Sequence, residues 1–357
     1  MTKIYVKYGD QGLKMVKDIL DHMDIAKQLK STMSIGIKPN LVLAKPSHSG
    51  ATTDPQVVAG IIEYLQDHGC KQISIMESSW LGDLTKRAWQ VCGYTALAKR
   101  YHVSLVDLKD DSVRSCQTED YQLEVCSSPL NVDYLINVPV LKAHCQTKLT
   151  CALKNMKGCI PDQEKRRYHR LGLHGPISQL NTAINQNLIV VDSLIGDLTF
   201  EEGDTPVQMN RIIVGQDPVA IDAYCAELLG YAPEEIDYII LANKLGVGQL
   251  SSNIIALNQE YGQPITTSTT ISHLRPFINE DQACSACLGS LFHALQRLRD
   301  KHQSIPSPIH IGQGYQNYIA EGIGVGRCTN GYQKNVPGCP PSAREIITKL
   351  REFTNQS

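Results

Sequence analysis

Four of the twelve cysteines stand apart from the others in spacing and setting. Cys284 and Cys287 form a C-x2-C pair at the start of a helical pattern, and Cys328 and Cys339 follow far downstream among glycines. Two thiolates one helical turn apart can hold neighbouring metal atoms while two loop thiolates close the remaining corners. That is the ligand set a [4Fe–4S] cluster requires. Gly322, Gly324, Gly326, Gly331 and Gly338 allow backbone N–H groups to come close to such a core. Pro340, directly after Cys339, gives the Cys-Pro ending found in bacterial cluster motifs. Structural Zn²⁺ is the alternative, but zinc usually takes its thiolates from two short knuckles. The second pair here is spread more widely and leads into Pro-Pro. Full ligation by protein thiolates suits electron transfer or structural work, whereas an iron left open would suit Lewis-acid chemistry.

A second constellation is basic. The segment LKAHCQTKLTCALKNMKG carries Lys142, His144, Lys148, Lys154, Asn155 and Lys157 just after the apolar run DYLINVPVL. Lys38 and Asn40 stand at the end of another apolar run, and Glu77, Ser78 and Ser79 close a third. Lysines gathered on one edge suit a carboxylate or phosphate ligand. Lys142 and His144 are the candidates for catalysis, His144 because imidazole exchanges protons near neutral pH. Lys38, Asn40, Lys148, Lys154, Asn155, Lys157, Asp192 and Asp217 are the candidates for substrate binding. Asp192 ends NLIVVD, and with a neighbouring carboxylate it would suit Mg²⁺. Asp217 has a competing structural explanation, since DPVAID reads as a capped helix start. His169 and His174 lie in a loop-like stretch, as candidates for a lid.

These residues need a scaffold that brings strand ends together. KIYVK, SIGIKPNLVL, KQISIME, HVSLVDL, YQLEVC, DYLINVPVL, NLIVVD and RIIVGQ read as strands, alternating with amphipathic helices. The helix in TDPQVVAGIIEYLQDHG carries both end signals, a Thr53 or Asp54 cap followed by Pro55, and Gly69 as its stop. The alternation predicts an α/β fold, a mainly parallel sheet with helices on both faces, plus a small C-terminal α/β cysteine-bearing domain. Ligands then gather beyond the carboxyl ends of the strands. The expected domains are residues 1–275, binding the ligand, and 276–357, carrying the cysteines, separated after the polar stretch NQEYGQPITTSTT.

With 42% hydrophobic residues the chain can build a core, and a net charge of −2 argues against coating nucleic acid or an anionic membrane. No transmembrane run or secretory leader is legible, so a cytoplasmic protein is expected, with reduced thiols. The eight scattered cysteines are expected to be buried and structural. No Walker sequence, dinucleotide fingerprint or serine nucleophile elbow occurs, so the glycines of GIGVGRC read as turns around the thiolates.

Three stretches together, IKPNL, VPVLKAH with TKLTCALKNMKG, and DPVAIDA, resemble the domain of unknown function 362 family over roughly residues 30–245. The tail from CSAC through GRC to GCPPSA is similar to an iron–sulfur extension carried by members from anaerobes. Other members carry a compact C-x2-C-x2-C-x3-C-P run that is absent here, so the resemblance implies a single cluster. The resulting expectation is an iron–sulfur protein, a redox enzyme or electron-transfer protein acting on a small anionic substrate or partner cofactor. A redox partner protein and a homo-oligomer are both compatible with it. The rival expectations are a non-redox binding or assembly protein with a structural cluster, and a metal-dependent lyase or isomerase using the Lys/His/Asp set.

Overall fold

The computed structural model describes residues 2–198, 201, 203, 205–259 and 271–355. The chain divides into two compact units, Met1–Tyr168 with Leu173–Thr267, and His169–Gly172 with Ser268–Ser357. Most of the polar stretch expected to part them lies outside the described residues.

The first unit is built on one large mixed sheet. Its strands are β1 (Thr2–Tyr8), β2 (Ser34–Pro39), β3 (Gln72–Glu77) and β4 (Ser104–Asp107), and β7 (Tyr134–Val138) to β12. The separate hairpin pairs β5 (Val113–Gln117) with β6 (Gln122–Cys126). The remaining members are β8 (Val140–His144), β9 (Lys148–Thr150), β10 (Leu188–Asp197), β11 (Pro206–Gly215) and β12 (Ser252–Ala256). The path runs β12-β1-β11-β10-β7-β2-β3-β4. From β10 to β4 every pairing is parallel, while β11 runs antiparallel to both β10 and β1. The fold is therefore α/β with a mostly parallel sheet.

Side-chain alternation divides the core into two layers, one on each face. On β10, Ile189 and Val191 join one buried cluster, and Leu188 and Val190 join the other. On β7, Leu135 faces the first cluster while Tyr134, Ile136 and Val138 face the second. Both faces being covered is why these strands read as unbroken apolar runs rather than as alternating ones. The helix Pro55–Asp67 starts as its sequence requires: Asp54 accepts a hydrogen bond from the Gln56 N–H at 2.8 Å, and Pro55 occupies the first turn.

Register brings the site residues to one edge. Lys38 pairs with Asn137 across β2 and β7, and Glu77 ends β3. Past Pro139 the chain resumes as β8 beside β10, then turns back as β9, so Lys142 and His144 lie on a strand and not in a loop. Two residues apart on that strand, they project to the same face.

The second unit carries its own parallel sheet, β13 (Ile278–Glu280), β14 (Ile309–Ile311), β15 (Ala320–Val325) and β16 (Tyr332–Val336), in that order. The helix Ser285–Asp300 buries Leu288, Leu291, Phe292, Leu295 and Leu298, one stripe at helical spacing. The helix Ala343–Asn355 packs on it and buries Ile346 and Leu350.

Candidate functional site

The floor of the site is a buried ion pair. The Lys38 ammonium donates to Glu77 Oε2 at 2.8 Å and to the Pro39 carbonyl at 2.8 Å, with both side chains essentially sealed from solvent. Glu77 also accepts from the Leu41 N–H at 2.9 Å and the Ser78 N–H at 2.7 Å, so each carboxylate oxygen has a donor. An amide network extends this floor. Asn155 Oδ1 accepts from Asn40 Nδ2 at 3.0 Å, and Asn155 Nδ2 donates to Asn137 Oδ1 at 2.7 Å. Asn137 Nδ2 in turn reaches the Ala152 carbonyl and Gln186.

The wall comes from β8. Lys142 donates to Asn40 Oδ1 at 3.3 Å, the Ala51 carbonyl at 2.6 Å and the Glu201 carbonyl at 2.8 Å. The Nδ1 atom of His144 accepts from the backbone N–H groups of Gln146 and Thr147, at 3.1 and 3.0 Å. That leaves the proton on Nε2, which lies 2.9 Å from Glu201 Oε2. Burial pushes the imidazole down to about 4, partly opposed by Glu201, so His144 is neutral at ordinary pH. Burial alone would raise the Glu201 carboxyl, but His144 and Lys154 outweigh it and hold the group well below the usual range. Lys154 donates to Glu201 at 2.9 Å and to Thr150 Oγ1 at 3.0 Å.

The roof is the short helix Ala152–Asn155 and the tighter turn Met156–Cys159. Asp222, buried in the helix Pro218–Leu228, accepts from the Ala152 N–H at 2.7 Å and the Leu153 N–H at 3.2 Å. It thereby supplies in trans the cap that Cys151 does not. Burial raises the Asp222 carboxyl to about 7 despite those donors. A folded-state value above the unfolded one means that this group's stabilisation is complete below about pH 4 and is lost as pH rises through 7. The stability advantage of wild type over Asp222→Asn should therefore shrink between pH 4 and 7, by at most about 4 kcal/mol. Urea unfolding at stepped pH measures it, and a pH-independent difference would reject a perturbed carboxyl here.

Gly158 sets the height of the roof. A methyl group at this position would lie 2.3 Å from Glu77 Oε1 and 2.6 Å from Lys38 Nζ, so the turn rests directly on the ion pair. Gly158→Ala should cost about 1–3 kcal/mol through overpacking, read as a lower urea midpoint with an unchanged slope; a neutral result would mean that the turn can lift freely. Next to Gly158, the half-buried Lys157 has no hydrogen-bond or ion-pair partner among the described residues. Burial, then the neighbouring Lys154, lower its ammonium to about 7, against a pull from Glu201. Lys165, from the helix Asp162–Leu171, completes this side. It donates to Ser78 Oγ, to the Ser79 carbonyl at 3.0 Å and to Asp162 at 3.1 Å.

In the second unit Cys284 stands immediately before the helix that carries Cys287, Cys328 lies in the turn Arg327–Thr329, and Cys339 is exposed after β16. Burial, then the other three thiols, push Cys287 up to about 12, and Cys328 and Cys339 likewise act on Cys284. All four sulfurs thus share one electrostatic neighbourhood. Gln313 Nε2 donates to Cys284 Sγ at 3.2 Å and Gln316 Nε2 to Cys328 Sγ at 3.5 Å. Gly326, at φ 99°, would bring a methyl group within 3.8 Å of Cys287 Sγ. Among the described residues no group of three or more His, Cys, Asp or Glu side chains could hold a metal ion.

The model of a family described as a domain of unknown function (DUF362) matches residues 35–227, more than half of the chain and all of the lysine-bearing edge. The chain belongs to the DUF362 family. Among curated proteins it is similar to the thylakoid-associated protein sll1697 of Synechocystis sp., 22% identical over 231 residues, covering 61% of this chain and 70% of the relative. Among solved structures it is similar to the lactate racemase apoprotein from Thermoanaerobacterium thermosaccharolyticum, at a TM-score of 0.40 and 12% identity. That match covers 63% of this chain and 56% of the racemase. A structural-genomics protein from Thermotoga maritima matches with the same score and identity, over 66% of this chain and 60% of its own. The chain thus spans less than two thirds of either structure. No helix among the described residues is long and apolar enough to cross a membrane.

Within this DUF362 chain, Lys38, Asn40, Lys142, His144, Lys154 and Asn155 form one connected network, with Lys157 above it. The other sequence candidates lie elsewhere. Lys148 reaches Glu235 at 3.4 Å and the Tyr231 ring, on an exposed flank. Asp217 caps its helix through the Val219 and Ala220 N–H groups and accepts from the Gln249 N–H, which is the structural explanation its sequence offered. Asp192 accepts from the Asp54 and Leu194 N–H groups, so the Mg²⁺ expectation meets a carboxylate already engaged at both oxygens, and burial raises it to about 7. His169 lies in the last turn of the helix Asp162–Leu171 and His174 begins the next helix, so neither stands in the loop that the sequence suggested. Sequence reading passed over Asn137, Lys165 and Glu201. An Asn inside YLINV was a usable signal, because a buried amide demands partners. Lys165 looks like surface charge in EKRRYHR, and nothing marked Glu201.

Proposed function

We propose that this DUF362 protein is an iron–sulfur protein whose first unit binds a small anion at the Lys157 edge and whose second unit carries a [4Fe–4S] cluster. Cys284, Cys287, Cys328 and Cys339 would hold the cluster, and when bound it supplies one-electron transfer. What supports this reading is that Cys328 and Cys339, far away in sequence, lie near enough to Cys284 and Cys287 to raise both thiols. Amide N–H groups from Gln313 and Gln316 already face two of the sulfurs, the kind of contact that tunes cluster potential.

For the first unit, Lys38, Lys142, Lys154 and Lys165 outnumber Glu77, Glu201 and Asp162 even with Lys157 neutral, which favours an anion. The non-redox reading, acid–base chemistry at this edge, is favoured by the half-buried Lys157, which has no hydrogen-bond or ion-pair partner among the described residues and whose ammonium burial lowers to about 7. Anaerobic purification with iron and sulfide quantitation, then redox titration followed by EPR, tests the cluster. A reversible signal supports electron transfer, and a cluster that cannot be reduced makes it structural. Calorimetric titration with inorganic phosphate and propionate tests the anion site: Lys157→Ala should weaken binding by about tenfold or more, and no binding by wild type would end the reading.

A further inference from the structure

We propose that Lys157 is a nucleophile that condenses with the carbonyl of a small 2-oxo acid, and this deepens, and rests on, the anion-site reading above. Every other lysine on this edge is engaged. Lys38 is paired with Glu77, Lys154 with Glu201 and Thr150, and Lys165 with Ser78, Ser79 and Asp162. Lys157 alone among these has no partner among the described residues, although it stands in the same cluster and feels Lys154, Glu201 and Lys165. An ammonium is normally solvated or paired. One that is half-buried between other cations, and held there by a turn that cannot sink onto its floor, is placed to lose its proton and attack.

The geometry also limits what it would attack. The surrounding excess of cations favours a substrate carrying a carboxylate, and a neutral amine forms a covalent bond most readily with an adjacent ketone. The step balances without an oxidant. The nitrogen lone pair forms the C–N bond, the carbonyl π electrons move to oxygen, and the resulting carbinolamine loses one water to leave the imine. An imine protonated on nitrogen withdraws electrons from the neighbouring carbon, so the site would serve carbon–hydrogen or carbon–carbon bond cleavage next to the former ketone.

The full-length protein incubated with pyruvate and sodium cyanoborohydride should acquire one reduced adduct, located by peptide mass mapping on Lys157. Its rate of formation should rise with pH through about 7, following the free amine. Lys157→Arg keeps a cation at this position but cannot form an imine, and it should abolish the adduct. Propionate, which has the carboxylate without the ketone, should protect the wild-type lysine. Adducts scattered over exposed lysines, or none at Lys157 while calorimetry still registers propionate binding, would overturn the nucleophile and leave the anion site standing. Failure of both pyruvate and propionate to bind would remove the reading beneath it as well.

Discussion

Glu77→Gln should destabilise the first unit by about 3–5 kcal/mol, the range for removing one partner of a buried ion pair. The Lys38 ammonium is sealed from solvent, and Glu77 Oε2 is its charged acceptor at 2.8 Å. A glutamine keeps the shape but cancels the charge, and its NH₂ must face either the Lys38 and Leu41 donors or the Ser78 N–H, so a donor meets a donor. The Asn155 oxygen, 3.4 Å from the ammonium, is neutral and already accepts from Asn40. The double variant Lys38→Met/Glu77→Leu, apolar at both positions, should recover much of the loss, because the desolvation cost of both charges goes with it. Equilibrium urea unfolding of the three proteins measures this. A single-variant loss below about 1 kcal/mol, the ordinary value for an exposed pair, would mean that water reaches the floor.

Cys287→Ala should reduce iron and sulfide from about four of each per chain to background, with loss of the visible absorption, if the second unit holds a [4Fe–4S] cluster. Cys287 is half-buried beside Gly326, and burial and then the other three thiols push it up to about 12. Burial that raises a thiol makes a bare thiolate costly there, and coordination by iron removes that cost because the metal carries the balancing charge. The same substitution at Cys92, a buried thiol of the first unit, should leave iron content unchanged. Iron retained at full stoichiometry in Cys287→Ala would exclude this residue as a ligand. Zinc in place of iron in the anaerobically purified wild type would replace the redox reading with a structural one.

The scaffold was legible where local rules decide the outcome. The apolar runs of β2, β7 and β10 became strands buried on both faces, and Asp54, Pro55 and Asp217 opened helices as their side chains require. The site was legible only in part, and the reason is register. Lys142 and His144 looked like the start of a polar loop, but Pro139 ends one strand and β8 begins at once, so alternation along β8 decides where both side chains point. Lys148 belongs to the same lysine-rich run and yet turns outward on β9. Lys154 meets its partner Glu201, and Lys157 comes under the influence of Glu201 and Lys165, only through tertiary folding. Sequence shows that a strand end will carry charge; which charges face one another depends on packing between segments with no local relation.

The contact of Gly158 with the Lys38–Glu77 pair reaches beyond stability. It fixes the height of the backbone that carries Lys157, because the turn already touches bedrock and can neither descend nor carry a larger residue at Gly158. Divergence in what this edge recognises must therefore come through the side chains that ring the turn. The main chain beneath Lys157 keeps that footing only while a glycine stands at 158.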